Sequence, residues 1–373
     1  MTPSNTPPHP PTTEDDLHDR LRLLRSRRVG VATYRRLLKE HGTARNALHA
    51  LPEVARAAGV LDYQVCPTGV IDAEMRAART AGAALLAEGD PDYPAHLHEI
   101  PDAPPLMWTI GQRALLHRPM VALVGARNAS SLGTRMAKSL AAELAAAGIV
   151  VVSGLARGID TAAHLASLDS GTIAVQAGGV DVIYPVENTK LTEDIGAKGL
   201  RLSEMPMGMQ PRARHFPARN RIISGLARAV VVVEAAAKSG SLITARNALD
   251  QARDVLAVPG HPFDARAAGC NMLIRDGAVL VRSAADVIEA IGPLEEAQKS
   301  LPLAPDAQPA RSLRDTAMLH SQILARLGPS PVAEDQLIRD LAATATAVAP
   351  AIMDLELDGK ITRQAGGLLA RVE

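Results

Sequence analysis

The sequence predicts an α/β protein: a doubly wound, mostly parallel sheet with a small N-terminal helical domain and a C-terminal winged helix. Three observations lead to this prediction. Short unbroken apolar runs alternate with amphipathic stretches through the middle of the chain, leucines at helical spacing precede them, and three helical segments with a final hairpin pattern follow. Unbroken apolar strands between helices are typical of a parallel sheet covered on both faces. The 373 residues suffice for two or three domains.

The N-terminal part is predicted to be a tail followed by helices. Residues 1–16 are polar and rich in proline, which predicts a disordered tail. Residues 17–89 carry apolar side chains at helical spacing and predict a small helical domain, SAM-like or helix-hairpin-helix-like. Within it, residues 27–34 predict a helix, a tight glycine turn and a second helix. Such a turn can present backbone N–H groups to a phosphate, or it can be an ordinary corner of a helical bundle.

The central part, residues 90–291, is predicted to contain the sheet. Its apolar runs are bounded by turn residues and are separated by helical patterns. The predicted strands are residues 105–111, 121–125, 149–153, 172–176, 200–203, 229–234, 255–258 and 278–281. The predicted helices are residues 132–147, 160–168, 188–198, 242–251, a segment around Met272, and residues 284–291. Ligands of such sheets bind beyond the carboxyl ends of the strands.

The C-terminal part is predicted to be a linker and a winged helix. Residues 292–311 combine proline and charge without periodicity, which is typical of a linker. Residues 312–373 predict helices over 316–327, 333–342 and 346–358, and a wing hairpin over 360–372. This domain carries 6 basic and 8 acidic residues, a poor match to duplex phosphates. We therefore expect it to contact protein rather than to read DNA.

A basic block lies in the second half of the central part. Residues 205–233 contain no acidic residue but one histidine and five arginines, Arg212, Arg214, Arg219, Arg221 and Arg228. Pro217 predicts a helix start, which places Arg219, Asn220 and Arg221 in the first helical turn. Cations are disfavoured there unless an anion bridges them. A solvated basic face is the alternative, but the apolar residues directly after Arg221 favour a site against a core.

The loops that follow the predicted strands combine glycine with arginine. Residues 125–130 and 153–158 each contain glycine and one arginine, and residues 178–179 and 239–241 add further glycines. Parallel strands end at the same edge of a sheet, so these loops are expected to gather there. Glycine lets backbone amides approach a phosphate, and arginine binds it through several donors. The sequence therefore predicts a phosphate-backbone site at this edge.

Composition and missing motifs exclude several classes of protein. The formal net charge is zero, so a nucleic-acid site must be local. No GxGxxG or GxxxxGK[ST] motif occurs, which argues against NAD and P-loop sites, and no other cofactor is indicated. Cys66 and Cys270 lie far apart, without a zinc or disulfide pattern, so we expect no metal and a cytoplasmic location. The longest apolar run, residues 140–152, is too short to span a bilayer.

Two acidic positions have alternative interpretations. Asp160 and His164 stand four residues apart on one predicted helix and could be ligands or an acid–base pair. A helix-capping aspartate and a buried, hydrogen-bonded histidine is the favoured reading. Glu234 ends a strand, so it could be a catalytic carboxylate or could bind backbone amides of a neighbouring loop. Because no base, nucleophile and orienting group fall in register, we expect no catalytic residue and no enzymatic activity.

The chain resembles the DprA (Smf) family of bacterial DNA-processing proteins over roughly residues 90–291. Several ordered motifs carry the resemblance: VGARNAS (124–130), SGLARGID (153–160) with His164, GGVD (178–181) running to Tyr184 and Pro185, SE (203–204), FPARNR (216–221), SGSLITA (239–245) and VPG (258–260). The sequence departs from the family at Leu132, where an aromatic residue is frequent. With 2% aromatic residues in all, we expect the site to rely on phosphate contacts more than on stacking and to show steep salt dependence.

The resemblance implies a Rossmann-like core that binds single-stranded DNA without sequence preference, usually as a homodimer. It implies loading of the recombinase RecA onto incoming strands covered by single-strand-binding protein during natural transformation, with no membrane partner. The phosphate contacts of the family carry over onto Arg127 and Arg157, in the loops after the strands, and onto Arg219 and Arg221, in the predicted arginine helix. The predicted DNA-binding residues are Arg127, Ser130, Arg157, Gly158, Gly178, Gly179, Arg219, Asn220, Arg221, Ser239 and Gly240.

Two functions of other classes remain as alternatives. Rossmann-like phosphoribohydrolases also place a GG loop and a carboxylate at strand ends, which Gly178, Gly179 and Glu234 could imitate. Their PGGxGT…E run is absent, because Gly179 leads into Val180 and Asp181. A regulator that binds duplex DNA through the winged helix is the second alternative, and the acidic balance of that domain argues against it.

Overall fold

The computed structural model describes residues 13–293, 313–328, 330–341, 343, 345–364 and 368–372. The chain divides into two compact units, Met1–Leu294 and Glu295–Glu373, which are taken in turn. Most of the predicted tail and of the predicted linker lies outside the described residues. In the described part of the chain, no helix is both long enough and apolar enough to cross a membrane.

The first unit begins with four helices: α1 (Glu14–Arg25), α2 (Val31–His41), α3 (Ala44–Ala57) and α4 (Thr68–Thr80). The first helix starts two residues earlier than the predicted end of the tail. The side chain of Thr13 accepts a hydrogen bond from the N–H of Asp16, and three acidic residues fill the first turn. This cap and the favourable dipole interaction make residues 14–16 helical rather than part of a tail. Glycine ends the turn between α1 and α2, as predicted.

A nine-stranded sheet follows, in the order β1-β2-β6-β5-β4-β3-β7-β8-β9. Seven strands run parallel, whereas β1 and β2 are antiparallel to their neighbours. The fold class is therefore confirmed as mostly parallel. The strands are β1 (Ala84–Ala87), β2 (Leu106–Gly111), β3 (Met120–Gly125), β4 (Val150–Ser153), β5 (Thr172–Val175), β6 (Leu200–Ser203), β7 (Ala229–Glu234), β8 (Asp254–Ala257) and β9 (Val279–Leu280).

Helices cover both faces of this sheet. They are α5 (Ala95–His98), α6 (Ser131–Ala146), α7 (Ile159–Ser167), α8 (Thr189–Lys198), α9 (His215–Leu226), α10 (Ser241–Asp250), α11 (Ala268–Arg275) and α12 (Ala284–Ile291). One apolar core joins the strands to α6, α7 and α12, and a second joins them to α9, α10 and α11. After β6 the chain returns through α9 to place β7 beside β3. The direction in which strands are added thus reverses between β3 and β7.

The helical part shares a core with the edge of the sheet. Leu21 of α1 and Ile71 of α4 pack in one cluster with Leu106 and Trp108 of β2. The indole N–H of Trp108 donates to the carboxylate of Glu74, which also binds Arg25. β1 falls within residues 17–89, which were predicted to be helical, because its four residues are too few to show a strand period.

The second unit is a small winged helix, which confirms the predicted architecture. Its elements are α13 (Leu313–Arg326), β10 (Val332–Ala333), α14 (Glu334–Asp340), α15 (Ala345–Leu357), β11 (Ile361–Gln364) and β12 (Leu368–Arg371). The three strands are antiparallel in the order β10-β12-β11. Ile323, Leu337, Ile352 and Leu369 meet in its core.

Candidate nucleic-acid interface

A cavity of about 260 Å³ opens at the carboxyl ends of β3, β4 and β5, and we call it the strand-end cavity. Four of the predicted site residues, Arg127, Arg157, Gly178 and Arg219, line it. The other lining residues are Leu155, Ala156, Val175, Gln176, Ala177, Val182, Tyr184, Pro185, Val186, Glu187, Pro211 and Phe216. Parallel strands and the crossing helix α9 therefore bring together groups that lie up to 92 residues apart in the chain.

Two aromatic rings form part of this cavity, which sequence reasoning missed. The rings of Tyr184 and Phe216 are 5.8 Å apart between centroids, and the guanidinium carbon of Arg127 lies 5.1 Å from the centroid of Phe216. The ring of Tyr184 is half exposed. A low aromatic content predicted a site dominated by phosphate contacts. Two of the seven aromatic residues of the chain nevertheless line this cavity, so the site offers a stacking surface as well.

Helix α9 begins earlier than Pro217 predicts. It starts at His215, so Pro217 is its third residue and Arg219, Asn220 and Arg221 lie in the second turn. The first four N–H groups of a helix have no partner within it, and proline is tolerated anywhere among them. The prediction that these three side chains share the first turn is therefore wrong, and the dipole argument for a bridging anion does not apply to them.

Arg219 is almost fully buried at the base of the strand-end cavity. Its guanidinium donates a hydrogen bond to the carbonyl oxygen of Val175 and lies beside the carboxylate of Asp160. Burial lowers the pKa of Arg219 to about 10, and the charge of Asp160 opposes that shift. Burial likewise raises the pKa of Asp160 to about 6, and Arg219 opposes it. A Cβ atom at Gly154 would come within 2.5 Å of both groups, so only glycine fits above this pair.

Arg221 points away from the cavity and is paired with carboxylates. Its guanidinium lies 2.5 Å from an oxygen of Glu204 and 3.1 Å from one of Asp102. Burial raises the pKa of Glu204, and the charge of Arg221 opposes the shift. The backbone carbonyl of Glu204 also accepts a hydrogen bond from Arg25 of α1. The charge of Arg221 is thus already compensated within the protein.

His164 is buried and hydrogen-bonded, as was favoured, but the expectation that Asp160 caps the helix is wrong. The ring Nδ1 of His164 lies 2.8 Å from the hydroxyl of Thr172, and the side chain is fully buried. Burial lowers the pKa of His164 to about 4. A carboxylate oxygen of Asp160 accepts a hydrogen bond from the N–H of Ala156 in the loop before α7. Asp160 is the second residue of α7, with Gly158 at the capping position, so it braces the loop rather than capping the helix.

The predicted site glycines have packing roles at close chain crossings. Gly158 has a φ of 80°, and a Cβ there would collide with the carbonyl oxygen of Ala126. Cβ atoms at Gly178 and Gly179 would come within 2.6 Å of the carbonyl oxygens of Met209 and Pro206. Gly158 therefore lets the loop after β4 approach the loop after β3, and Gly178 and Gly179 let the loop after β5 approach the segment after β6.

Ser130 lies on the other side of the β3–α6 loop and binds Glu234. A carboxylate oxygen of Glu234 is 3.0 Å from the N–H of Ser130, and the other is 2.5 Å from its hydroxyl. The Ser130 hydroxyl also accepts from the N–H of Gly133 and caps α6. The amide-binding interpretation of Glu234 is confirmed.

The last three predicted residues form a separate group beyond β7. The side-chain amide of Asn220 is 3.5 Å from the carbonyl oxygen of Gly240, and the hydroxyl of Ser239 is 2.7 Å from that of Ser241. Arg212 and Arg214, which the site prediction left out, are exposed just before α9. Among the described residues, no group of three or more His, Cys, Asp or Glu side chains could hold a metal ion.

Comparisons with known proteins point to one family in all three matched parts of the chain. The model of the family described as DNA recombination-mediator protein A matches residues 84–292. Models of a DprA-like N-terminal HHH domain and of a DprA winged helix domain match residues 14–77 and 307–367.

Individual relatives agree with these matches. The chain is similar to protein Smf of a Synechocystis species, with 37% identity over 317 residues that cover 76% of this chain and 78% of the relative. It is also similar to the DNA processing protein DprA of Streptococcus pneumoniae, with 49% identity over 201 residues that cover 53% and 71% of the two chains.

The similar solved structures include the following two. The X-ray structure of DprA from Streptococcus pneumoniae gives a TM-score of 0.56 at 44% identity and covers 59% of this chain and 77% of that chain. A structure of DNA processing protein A from Helicobacter pylori, described for its single-stranded DNA binding mode, gives 0.52 at 30% identity and covers 56% and 95%.

Proposed function

We propose, from the premise that this chain belongs to the DprA (Smf) family of DNA recombination-mediator proteins, that it binds single-stranded DNA without sequence preference. One observation carries the proposal. The strand-end cavity places the exposed arginines Arg127 and Arg157 beside the rings of Tyr184 and Phe216. Cations that bind the backbone and rings that stack on bases are the two parts of a sequence-tolerant single-strand site. The Helicobacter pylori relative is described as binding single-stranded DNA, which supports this assignment.

Within this proposal, the eleven predicted residues have different roles. Arg127 and Arg157 contact phosphates, and Gly158, Gly178 and Gly179 shape the loops that hold them. Arg219 supports the base of the cavity. Ser130, Asn220, Arg221, Ser239 and Gly240 do not line the cavity and act on the strand less directly.

The proposal extends to recombination. As a family member, the protein would load RecA in the cytoplasm onto incoming strands that carry single-strand-binding protein, during natural transformation. It would act as a homodimer. The edge strand β9 supports this part, because it ends the sheet with unpaired backbone groups and exposes Val279 and Leu280, and the preceding helix α11 exposes Met272. Such an edge can pair with its symmetry mate.

We further propose a binding protein without catalysis or cofactor. In a nucleotide-processing enzyme of the phosphoribohydrolase type, Glu234 would have to face the substrate with free acceptor capacity. Here its carboxylate is nine-tenths buried and bonded to Ser130. Incubation with nucleoside monophosphates tests this part, since release of free base would support the enzyme instead.

Fluorescence anisotropy with labelled single- and double-stranded oligonucleotides over a salt series tests the main proposal. We expect wild type to prefer single strands and Arg127→Ala to bind them about tenfold more weakly, with a salt slope that is smaller by about 0.7. Lys198→Ala is the matched control, because Lys198 is an exposed cation at the opposite edge of the sheet. Equal loss in both variants, or no binding by wild type, would contradict the proposal.

The winged helix has a separate proposed role in protein contact. Its acidic balance argues against a polyanion as its ligand. A chain that ends at residue 294, the limit of the first compact unit, is expected to keep single-strand affinity. Loss of that affinity would instead assign DNA binding to the winged helix.

A further inference from the structure

A second cavity, of about 690 Å³, lies on the other side of the β3–α6 loop, and we call it the switch-point cavity. The ends of β7 and β8 and the first two turns of α6 form its walls. The lining residues that matter here are Ser130, Leu132, Arg135, Lys138, Glu234 and His261. Apart from Ser130, none of the predicted site residues lies in it.

The position of this cavity in the sheet favours a ligand. β3 and β7 are neighbours, but their helices α6 and α10 leave toward opposite faces of the sheet. At such a reversal no helix fills the space above the strand ends, and ligands of open α/β sheets bind in that crevice. The cavity opens beside this reversal, between β7 and the start of α6.

The chemistry of the cavity is layered. Its base holds the carboxylate of Glu234, already bonded to Ser130, and this negative charge repels a phosphate. Apolar side chains form the walls, among them Val233, Val258 and Leu132, the last 72% exposed. A group with flat apolar faces and polar edges fits such walls.

The rim of the cavity is cationic. Arg135 and Lys138 are exposed, lie three residues apart on α6, and have no ion pair within the described ranges. His261 lines the same rim, and its ring lies 5.5 Å from that of Phe263, which is 93% exposed. Asp264 is bonded to Arg266 within its own loop, which reduces its effect on a neighbouring anion. Phosphates are therefore favoured at the rim and excluded from the base.

We propose that the switch-point cavity is a second binding site for the same DNA strand, with a base between its walls and the flanking phosphates at Arg135 and Lys138. This inference rests on the proposed function of the strand-end cavity. Arg127 in that cavity and Ser130 in this one are three residues apart, so their Cα atoms are at most about 11 Å apart. A single strand can therefore cross the β3–α6 loop and occupy both.

A nucleic acid fits this surface better than a second copy of the chain. In a two-fold symmetric contact the same patch faces itself, so the cations Arg135 and Lys138 would face a surface that carries the same two cations. Unpaired like charges facing each other destabilise an interface, whereas a polyanion satisfies them.

The test compares two lengths of DNA. Oligonucleotides of about 4 nucleotides can fill one cavity, and those of about 20 can occupy both. The variant Arg135→Ala/Lys138→Ala is expected to bind the long strand about tenfold more weakly, with a salt slope smaller by about 1.4, because each phosphate contact contributes about 0.7. Affinity for the short strand is expected to stay unchanged. Lys138→Ala and Lys198→Ala form a matched pair, one lysine at this rim and one at the opposite edge of the sheet.

A second variant separates the walls from the rim. Leu132→Gln keeps every charge, and we expect it to weaken long-strand binding without changing the salt slope. Thermal melts of each variant exclude a folding defect.

The outcomes are distinguishable from failure of the proposed function. If the rim variant binds long strands like wild type, or loses short and long strands equally, the second site is wrong while the strand-end site stands. If the variants change the oligomeric state in size-exclusion chromatography instead, the cavity is a protein interface. If wild type binds no single strand of either length, the proposed function itself fails.

Discussion

Arginines in two regions of this protein have the same chemistry but different surroundings. Arg127 and Arg157, on the loops after β3 and β4, are exposed, and their contacts are a ring and one exposed ion pair with Glu187 at 3.5 Å. Arg219 and Arg221, on α9, are buried or nearly so and face Asp160, Glu204 and Asp102. An exposed ion pair of this kind contributes little, so the loop arginines remain free to bind an anion.

The difference shows that a charge in the sequence is not yet a charge available to a ligand. All four arginines carry the same weight in a count of basic residues. In the folded protein the two loop arginines are exposed to solvent, whereas the two arginines of α9 have partners within the protein. The arginines of α9 therefore stabilise the structure around the site more than they bind a ligand.

The largest expected effect comes from the most deeply buried arginine. Arg219→Ala leaves Asp160 and the carbonyl of Val175 without their partner, and we expect the free energy of unfolding to fall by about 3–5 kcal/mol. Arg127→Ala, the same change at an exposed position, should alter stability by no more than about 0.5 kcal/mol. Urea unfolding of the two variants makes the measurement. Similar stabilities would erase the distinction between the two regions.

The next largest effect concerns the buried His164, and it tests whether water is excluded from the region behind Arg219. His164 is neutral when folded because burial lowers its pKa from 6.5 to about 4. The unfolded chain takes up a proton below pH 6.5, so this group contributes stability above that pH and loses it as pH falls to about 4. The total is about 3 kcal/mol.

His164→Gln should remove this share of the pH dependence. Asp160 is present in both proteins, so the difference between the two stability curves isolates the histidine. The same substitution at exposed His49 controls for the loss of an imidazole. An unchanged difference between pH 6.5 and 4 would mean that water reaches this region.

A smaller effect is expected at the mostly buried pair of Arg221 and Glu204. Glu204→Gln removes one charged partner of Arg221 and leaves Asp102, so stability should fall by about 2 kcal/mol. The charge of Arg221 is then compensated only by Asp102, so the affinity for single-stranded DNA should rise and its salt slope should become steeper. Anisotropy and urea unfolding of one preparation report both quantities. If affinity falls instead, Glu204 positions Arg221 for DNA rather than occupying it.

The smallest effect on stability is expected at Arg157. Its ion pair is exposed on both sides, so Arg157→Ala should change the free energy of unfolding by less than about 0.5 kcal/mol. Its affinity for single strands should nevertheless fall about tenfold, because the loop arginines are the available ones. Glu187→Ala, which removes only the partner, is the matched control and should not weaken binding. If Arg157→Ala lowered the free energy of unfolding but left the affinity for single-stranded DNA unchanged, Arg157 would have a structural role like that of Arg219 and Arg221.

The fold could be predicted from the sequence because its signals are local. The strands β3 to β8 are apolar runs, and the helices between them carry their own periodicity. The strand β1 was not predicted, because four residues are too few to show a strand period and because β1 pairs antiparallel with β2, outside the parallel pattern. The start of α9 was predicted at the wrong residue, because proline is accepted at any position of the first helical turn.

The candidate site could be predicted only in part because its partnerships are long-range. The acid-free block was counted from residue 205, and Glu204, the partner of Arg221, stands directly before it. Tyr184 and Phe216 are 32 residues apart, so no local pattern shows that their rings meet. Strand-end glycine and arginine did predict Arg127 and Arg157 at one cavity, because parallel strands end together.

The short strand β1 links the helical part of the chain to the sheet. It ties the end of that part to β2, whose Trp108 donates to Glu74 on α4 and shares a core with α1. Unfolding the helices alone would return Leu106 and Trp108 to water and leave β2 as a bare edge. We therefore expect a single calorimetric transition for both, and a chain cut at residue 90 should aggregate.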